Sequence, residues 1–231
     1  MVFGRKAKLR GRILRELVAR PRTVAEVAGA DGTPTSGAYS KTLEDLRHAG
    51  YVARDEGLNP LTGKSVRKAR FRVCDNYVRF YLHYVEPRRK AIERGLFAFS
   101  SLEQLQGLQT FFGLQFENLV LNHVGDLFPL LGLDRSLVLS AFPYVQAATK
   151  RLRGCQIDLL VQTERTVFVV EIKRRKEIGS GVMDEVKAKV DALGVPRGLS
   201  VRTALVYDGK LSPSIESERY FDFIVDAKTL L

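Results

Sequence analysis

The chain predicts an α/β protein in two parts, and three patterns in its 231 residues carry that expectation. Apolar residues recur at helical spacing through roughly the first fifty positions and then switch to period two in a short hairpin. From residue 109 onward, a long helical pattern is followed by three strand patterns, a helix and further strands. The charge is uneven as well: residues 1–95 hold 21 Lys/Arg against 10 Asp/Glu, whereas residues 96–231 hold 16 against 16. A net charge of +11 that lies wholly in the first part points to a phosphate-rich partner there, because a basic surface gains from counterion release.

The first part divides at its punctuation. Leu9, Ile13, Leu14, Leu17 and Val18 share one helical face, with arginines opposite, and Pro21 ends the run. Thr23 followed by Glu26 is a capping-box spacing that opens a second, short helix. After a Gly- and Pro-rich loop, Thr35 or Ser36 can cap a third helix running to about Ala49, with Tyr39, Leu43 and Leu46 inward and Gly50 as its stop. A strand at Tyr51–Ala53, a turn-rich excursion from Gly57 to Gly63 and the alternating Lys68–Val73 complete a hairpin. Three short helices and a hairpin with a basic loop make a winged helix-turn-helix over residues 1–74. In that arrangement Tyr39, Ser40 and Lys41 stand at the start of the DNA-reading helix, and Lys64, Arg67 and Arg70 face phosphates from the wing. Residues 75–108 read as a helical linker: Asp75 caps an aromatic-rich helix through Tyr77, Phe80, Tyr81 and Tyr84, followed by the basic Pro87–Lys90.

The second part, 109–231, opens with a long helix from Phe111 to about Leu131. Ser136–Ser140 and Phe142–Ala147 are β-like, and Lys150, Arg151 and Arg153 follow. Two apolar strands, QIDLL and VVEIK, come next, then a helix over Met183–Leu193, a strand at Thr203–Tyr207 ended by Asp208-Gly209, and a last strand at Phe221–Val225.

Each of the two apolar strands carries an acid, Asp158 and Glu171, and Lys173 shares a strand face with Glu171. A hairpin whose turn is centred between Glu164 and Arg165 pairs residues whose numbers sum to a constant, and Asp158 then opposes Glu171. Directly opposed carboxylates lie about 5 Å apart and repel unless a proton or cation separates them. Mg²⁺ or Mn²⁺ fits such a pair, and Lys173 beside it can orient water or stabilise developing charge.

Asp158, twelve intervening residues and then Glu171-Ile172-Lys173 resembles the core signature of the PD-(D/E)XK nuclease superfamily, with Ile157 where a proline is usual. The resemblance implies a restriction-endonuclease-like α/β domain in which the helix before the sheet contributes an acidic ligand. Glu117, within LQFENLV, matches that position, which makes Glu117, Asp158 and Glu171 the implied metal ligands and Asp158, Glu171 and Lys173 the implied catalytic set. More widely, RFRVCDNYVRFYLHYVEPRR, LQFENLVLNHV, GCQIDLLV and VVEIKRR resemble the C-terminal half of a prokaryotic ATPase family common in archaea. There an AAA-type ATPase domain precedes a winged helix and a PD-(D/E)XK-like domain. No G-x-x-x-x-G-K-[ST] phosphate loop occurs in this chain, so ATPase activity is not expected of it, although an ATPase partner chain is implied.

The remaining composition narrows the classes. Two cysteines are too few for a disulfide framework, His48, His83 and His123 lack zinc-ligand spacing, and no apolar run approaches the ~20 residues of a membrane helix. The expectation is a cytoplasmic DNA-binding protein with a divalent-metal-dependent nuclease-like domain. The alternative is a non-catalytic DNA-binding or assembly module associated with an ATPase. Substrate form, base preference and oligomeric state leave no mark on the sequence.

Overall fold

The computed structural model describes residues 7–30, 32, 36–97, 105–150 and 152–230. Thr35, Arg151 and part of the connector between the two parts lie outside them. The protein is mixed α/β, and its contacts cluster into two units: residues 1–56 with 67–108, and residues 57–66 with 109–231. The excursion at 57–66, expected as part of the basic hairpin, therefore packs with the second unit. Among the described residues no helix is long and apolar enough to cross a membrane.

The first unit begins with three helices: α1 (Ala7–Val18), α2 (Val24–Ala30) and α3 (Gly37–His48). The capping box forms at α2: Thr23 N–H donates to Glu26 Oε2 at 2.7 Å, and Glu26 N–H donates to Thr23 Oγ1 at 3.3 Å. Ser36 caps α3 by accepting from Tyr39 N–H. Strands β1 (Val52–Asp55) and β2 (Arg70–Val73) pair antiparallel. Ile13, Leu17, Val27, Tyr39, Leu43, Leu46, Phe71 and Val73 form the core. On this hairpin Arg72 and Asp55 make a buried ion pair at 3.1 Å, and burial still pushes the Asp55 carboxyl up. Asp75 caps α4 (Asn76–Phe80) through Val78 N–H, as the sequence predicts. The expected single helix then changes pitch: a π turn at Tyr81–Val85 and a 3₁₀ turn at Glu86–Arg88 precede α5 (Arg89–Glu93). Pro87 has no N–H to continue the i→i−4 ladder, which accounts for the break in pitch just before it.

The second unit is a five-stranded sheet in the order β3 (Ser140–Gln146), β4 (Cys155–Gln162), β5 (Thr166–Ile178), β6 (Ser200–Leu211), β7 (Phe223–Asp226). The first two pairings are antiparallel and the last two parallel. The expected long helix is two: α6 (Leu108–Asn122) and α7 (Val124–Leu130). His123, at φ −111° and ψ 27°, leaves the helical path between them, ahead of Gly125. The strand expected at Ser136 begins only at Ser140, after a 3₁₀ turn held by the Asp134 side chain.

Alternation along the central strands places a core on each face. Phe116, Val120, Leu127 and Phe128 of α6 and α7 pack on Leu159, Val161, Phe168, Val170 and Val206. Val182, Met183, Val186 and Leu193 of α8 (Gly181–Leu193) pack on Leu160, Val167, Val169 and Leu205. The sheet is thus sandwiched between helices, and β4, β5 and β6, apolar on both sides, read as near-continuous hydrophobic runs.

β6 runs on through Asp208-Gly209, where the sequence suggested a stop. Its pairing with β5 slips between Arg174 and Glu177. Gly209 serves this irregularity: its φ is +143°, and an added Cβ would lie 1.8 Å from the Arg175 carbonyl oxygen. Gly209→Ala is expected to cost about 2–3 kcal/mol in urea denaturation. Gly63→Ala, at φ +64° with open space around it, is expected to cost about 1 kcal/mol.

Candidate active site

The register of the central hairpin follows the turn between Glu164 and Arg165. Leu159 opposes Val170, Leu160 opposes Val169, Val161 opposes Phe168 and Gln162 opposes Val167, each pair summing to the same constant. Asp158 and Glu171 would be the next rung, but the ladder ends one step before them. The reason lies on the other side of β4. Between Phe142↔Leu160 and Tyr144↔Ile157 the β3/β4 register shifts, so β4 carries one extra residue opposite Pro143. Pro143 has no N–H to offer the ladder, and such bulges re-aim side chains. At this bulge the Asp158 carboxylate turns to β5, and its Oδ2 accepts the Ile172 N–H at 3.0 Å.

The same alternation that buries Val167 and Val169 against α8 sends Glu171 and Lys173 to that face. Glu171 is 1% exposed. Its Oε1 lies 2.8 Å from the Lys173 ammonium, yet Oε1 accepts no well-aligned hydrogen bond. Its Oε2 accepts from Lys189 of α8 at 2.5 Å, and the Lys189 ammonium also lies 3.7 Å from Asp158 Oδ1. Lys173 donates in addition to Glu185 of α8 at 2.8 Å. The site is therefore two strand carboxylates clasped by two ammoniums, with Glu185 bound to the outer one.

The electrostatics follow from burial and neighbours. Burial first, and the Glu171 charge second, push the Asp158 carboxyl up; Lys189 and the Ile172 N–H act against them. Burial would lower the Lys173 ammonium, but its bonds to Glu171 and Glu185 together hold it above the usual lysine value. The hydrogen bond from Lys173 keeps Glu185 below the usual carboxylate range.

Asp158, Glu171 and Lys173 are thus brought together, and Glu117 is not among them. Glu117 belongs to α6, whose apolar side packs on the opposite face of the sheet. Among the described residues no group of three His, Cys, Asp or Glu is close enough to hold a metal ion. Glu117, Asp158 and Glu171, expected together as ligands, do not form such a group there. The two strand carboxylates do fit a divalent cation: Glu171 is buried, with Oε1 held only by the ion pair to Lys173, and burial first and the Glu171 charge second push the Asp158 carboxyl up. Lys189 and Glu185 are participants that the linear sequence did not single out for the site. The one available signal was their spacing on α8, four residues apart and so on one helical face.

The residues expected to touch DNA separate. Tyr39 is 1% exposed within the core of the first unit, so it presents no surface to DNA; its inward apolar spacing won over its place at the start of α3. Ser40 and Lys41 are exposed on α3, and Arg67 is exposed before β2. Lys64 is exposed in the segment that packs with the second unit. Arg70 is turned inward: it donates to the Pro21 carbonyl at 3.1 Å and stands 3.9 Å from Glu26. A cavity of about 400 Å³ in the first unit is lined by Ser40, Arg54, Arg67 and Lys68 over an apolar floor that includes Ala25 and Phe71. Arg54 is paired with Glu44 and Glu56, whereas among the described residues Lys41, Arg67 and Lys68 have no carboxylate at ion-pair distance.

A carboxyl raised by folding holds its proton more tightly folded than unfolded. Asp158 therefore removes stability as pH rises upward from its ordinary value of 3.8. In chelator, the stability of Asp158→Asn relative to the native chain is expected to improve steadily across that rise. Urea denaturation from pH 4 to 7 reads it; a difference that does not grow with pH would show that burial does not penalise this carboxylate.

No protein-family profile matches the chain, and no curated protein matches it. Among solved structures it is similar to the crystal structure of protein VC1899 from Vibrio cholerae, at 13% identity and a TM-score of 0.39. That match covers 96% of this chain and 49% of the other, so the chain spans about half the length of that protein. At that score the likeness carries no argument about fold or activity.

Proposed function

We propose that the protein is a DNA-binding protein whose second unit is a PD-(D/E)XK-like, divalent-metal-dependent phosphodiesterase. Its first unit is then a winged helix-turn-helix. The observation that carries the reading is the buried Glu171 carboxylate, aligned by strand register and a β-bulge with Asp158 and shared by Lys173. An unpaired carboxylate buried to this degree costs several kcal/mol, and structural needs alone are met by an apolar residue. The chemistry of two acids and a lysine where the β4–β5 ladder ends, on the face that α8 covers, suits phosphodiester hydrolysis.

In this reading Asp158 and Glu171 would hold Mg²⁺ or Mn²⁺, which would supply Lewis acidity and an activated water. The Ile172 N–H holds one oxygen of the Asp158 carboxylate in place, and the second faces the Lys189 ammonium at 3.7 Å. Lys173 keeps its proton, because Glu171 and Glu185 raise it above the usual value, and it acts as a fixed cation toward the charge developing on phosphate. The exposed Ser40 and Lys41 of α3, with Arg67 and Lys68, would meet phosphates and groove edges of the duplex. One observation favours a second reading, a non-catalytic DNA-binding or assembly module that acts with an ATPase partner. Lys189 already spans the two carboxylates, and a lysine can neutralise a retained acid pair permanently.

Cleavage of plasmid and single-stranded DNA with Mg²⁺ or Mn²⁺ decides between them. Glu171→Ala and Lys173→Ala are each expected to lower the rate by about 100-fold or more. Cleavage that persists unchanged in both variants would remove this site, and DNA binding without cleavage of any form would favour the second reading. DNA affinity is expected to fall steeply with salt, and Lys41→Ala and Arg67→Ala each to reduce the log–log salt slope by about 1.

A further inference from the structure

The proposed site contains one more cation than the hydrolytic reading uses. Lys173 belongs to the strand, and both of its partners, Glu171 and Glu185, fix it at 2.8 Å. Lys189 enters from α8 and reaches between the two strand carboxylates, bonded to Glu171 Oε2 and 3.7 Å from Asp158 Oδ1. Asp158 and Glu171 are the residues that would hold a divalent ion, and Lys189 is within reach of one oxygen of each. The cluster of Asp158, Glu171, Glu185, Lys173 and Lys189 has three acids and two ammoniums, a net charge of −1 with Lys189 in place. A divalent ion added on top of Lys189 would reverse that sign inside a largely buried site. With Lys189 withdrawn, the same ion leaves it neutral.

The side chain can withdraw. Lys189 is 21% exposed, whereas Glu171 is 1% exposed and cannot follow it out. A lysine has a flexible four-carbon stem and a strongly hydrated head, so it exchanges a carboxylate partner for water readily. The present arrangement also leaves Glu171 Oε1 without an aligned hydrogen bond, so two ammoniums do not fully satisfy this carboxylate.

We propose that Lys189 is a resident counter-cation that occupies the shared coordination space of Asp158 and Glu171 and is displaced when a divalent ion binds. The inference rests on the metal reading of these two carboxylates. Lys189 holds the acids together in the metal-free protein, limiting their mutual repulsion, and it raises the ion concentration at which the site loads. It is a positioning residue: it acts through the carboxylates and sets when they become available. The site thereby discriminates against weakly held ions, because an ion must outcompete an intramolecular ammonium before either carboxylate is free.

The test is Mn²⁺ binding to the full chain after chelation, counted by electron paramagnetic resonance of free Mn²⁺ and paired with thermal unfolding. Lys189→Met keeps the length and removes the charge; its Mn²⁺ affinity is expected to rise at least about tenfold, because a repelling charge a few ångströms away is gone. In chelator the same variant is expected to melt at a lower temperature than the native chain, and to gain more from Mn²⁺. Lys187→Met is the control: Lys187 is on the same helix and paired with Asp184, so its loss is expected to change Mn²⁺ affinity less than about twofold, in line with solvent screening. Lys189→Gln, which retains a hydrogen-bond donor, repeats the measurement should Lys189→Met fold poorly. Equal or weaker Mn²⁺ binding in the Lys189 variants overturns the inference and leaves the metal reading standing. Binding in the Lys189 variants alone supports it. Absence of binding in native and variant chains alike removes both.

Discussion

Glu171 is the constraint on which the second unit depends. Its carboxylate lies almost fully buried in β5, a strand paired on both sides and covered on both faces. A charge in that position must be met by other charges, and each feature around it answers that need. Lys173, two residues on, returns to the same face. Helix α8 is placed so that Lys189 reaches Glu171 while Glu185 balances Lys173 from outside. An isolated carboxylate there would neutralise or unfold the strand, so the ammoniums are a condition of the fold as well as the groundwork for any chemistry.

The β-bulge at Pro143 does the complementary work for Asp158. In an uninterrupted ladder the Asp158 backbone would pair with Glu171, and its side chain would face it squarely. With an extra residue in β4, the side chain itself takes the Ile172 N–H, a bond that the ladder would otherwise supply from a carbonyl. The acid is thereby fixed in direction at the cost of one backbone pair. Two packed layers decide which other acids can join. Residues of α8 share the face of the site, whereas the apolar side of α6 packs on the other. That division puts Glu185 of α8 at the site.

In the first unit the charge excess is distributed by use. Part of it is used within the unit: Arg72 is buried on Asp55, Arg70 donates to the Pro21 carbonyl, and the exposed Arg15 makes a bidentate pair with Glu86 at 2.7 Å. These cations tie elements of the unit together and are poorly placed for an external partner. Among the cations that face outward, Arg67 and Lys68 line, with Ser40, a cavity that also has apolar walls, and Lys41 is exposed beside Ser40 on α3. A basic rim with an apolar base is compatible with a nucleotide chain, whose phosphates and bases differ in the same way.

Much of this was legible in the linear chain because it depends on local rules. The Thr23–Glu26 box and the Ser36 and Asp75 caps are set by near neighbours and appear where the spacing puts them. The hairpin register was legible for the same reason: a short turn fixes the sum of partner numbers, and Leu159↔Val170 obeys it. Other features depend on contacts distant in sequence. The break at His123 and the continuation of β6 through Gly209 were decided by which surfaces had to be covered. By itself the sequence determined that two acids and a lysine would meet on neighbouring strands of a hairpin, because strand alternation and turn geometry act over a few residues. Only the tertiary structure decided that Lys189 closes that site, because that choice is made by which helix packs on which face of the sheet.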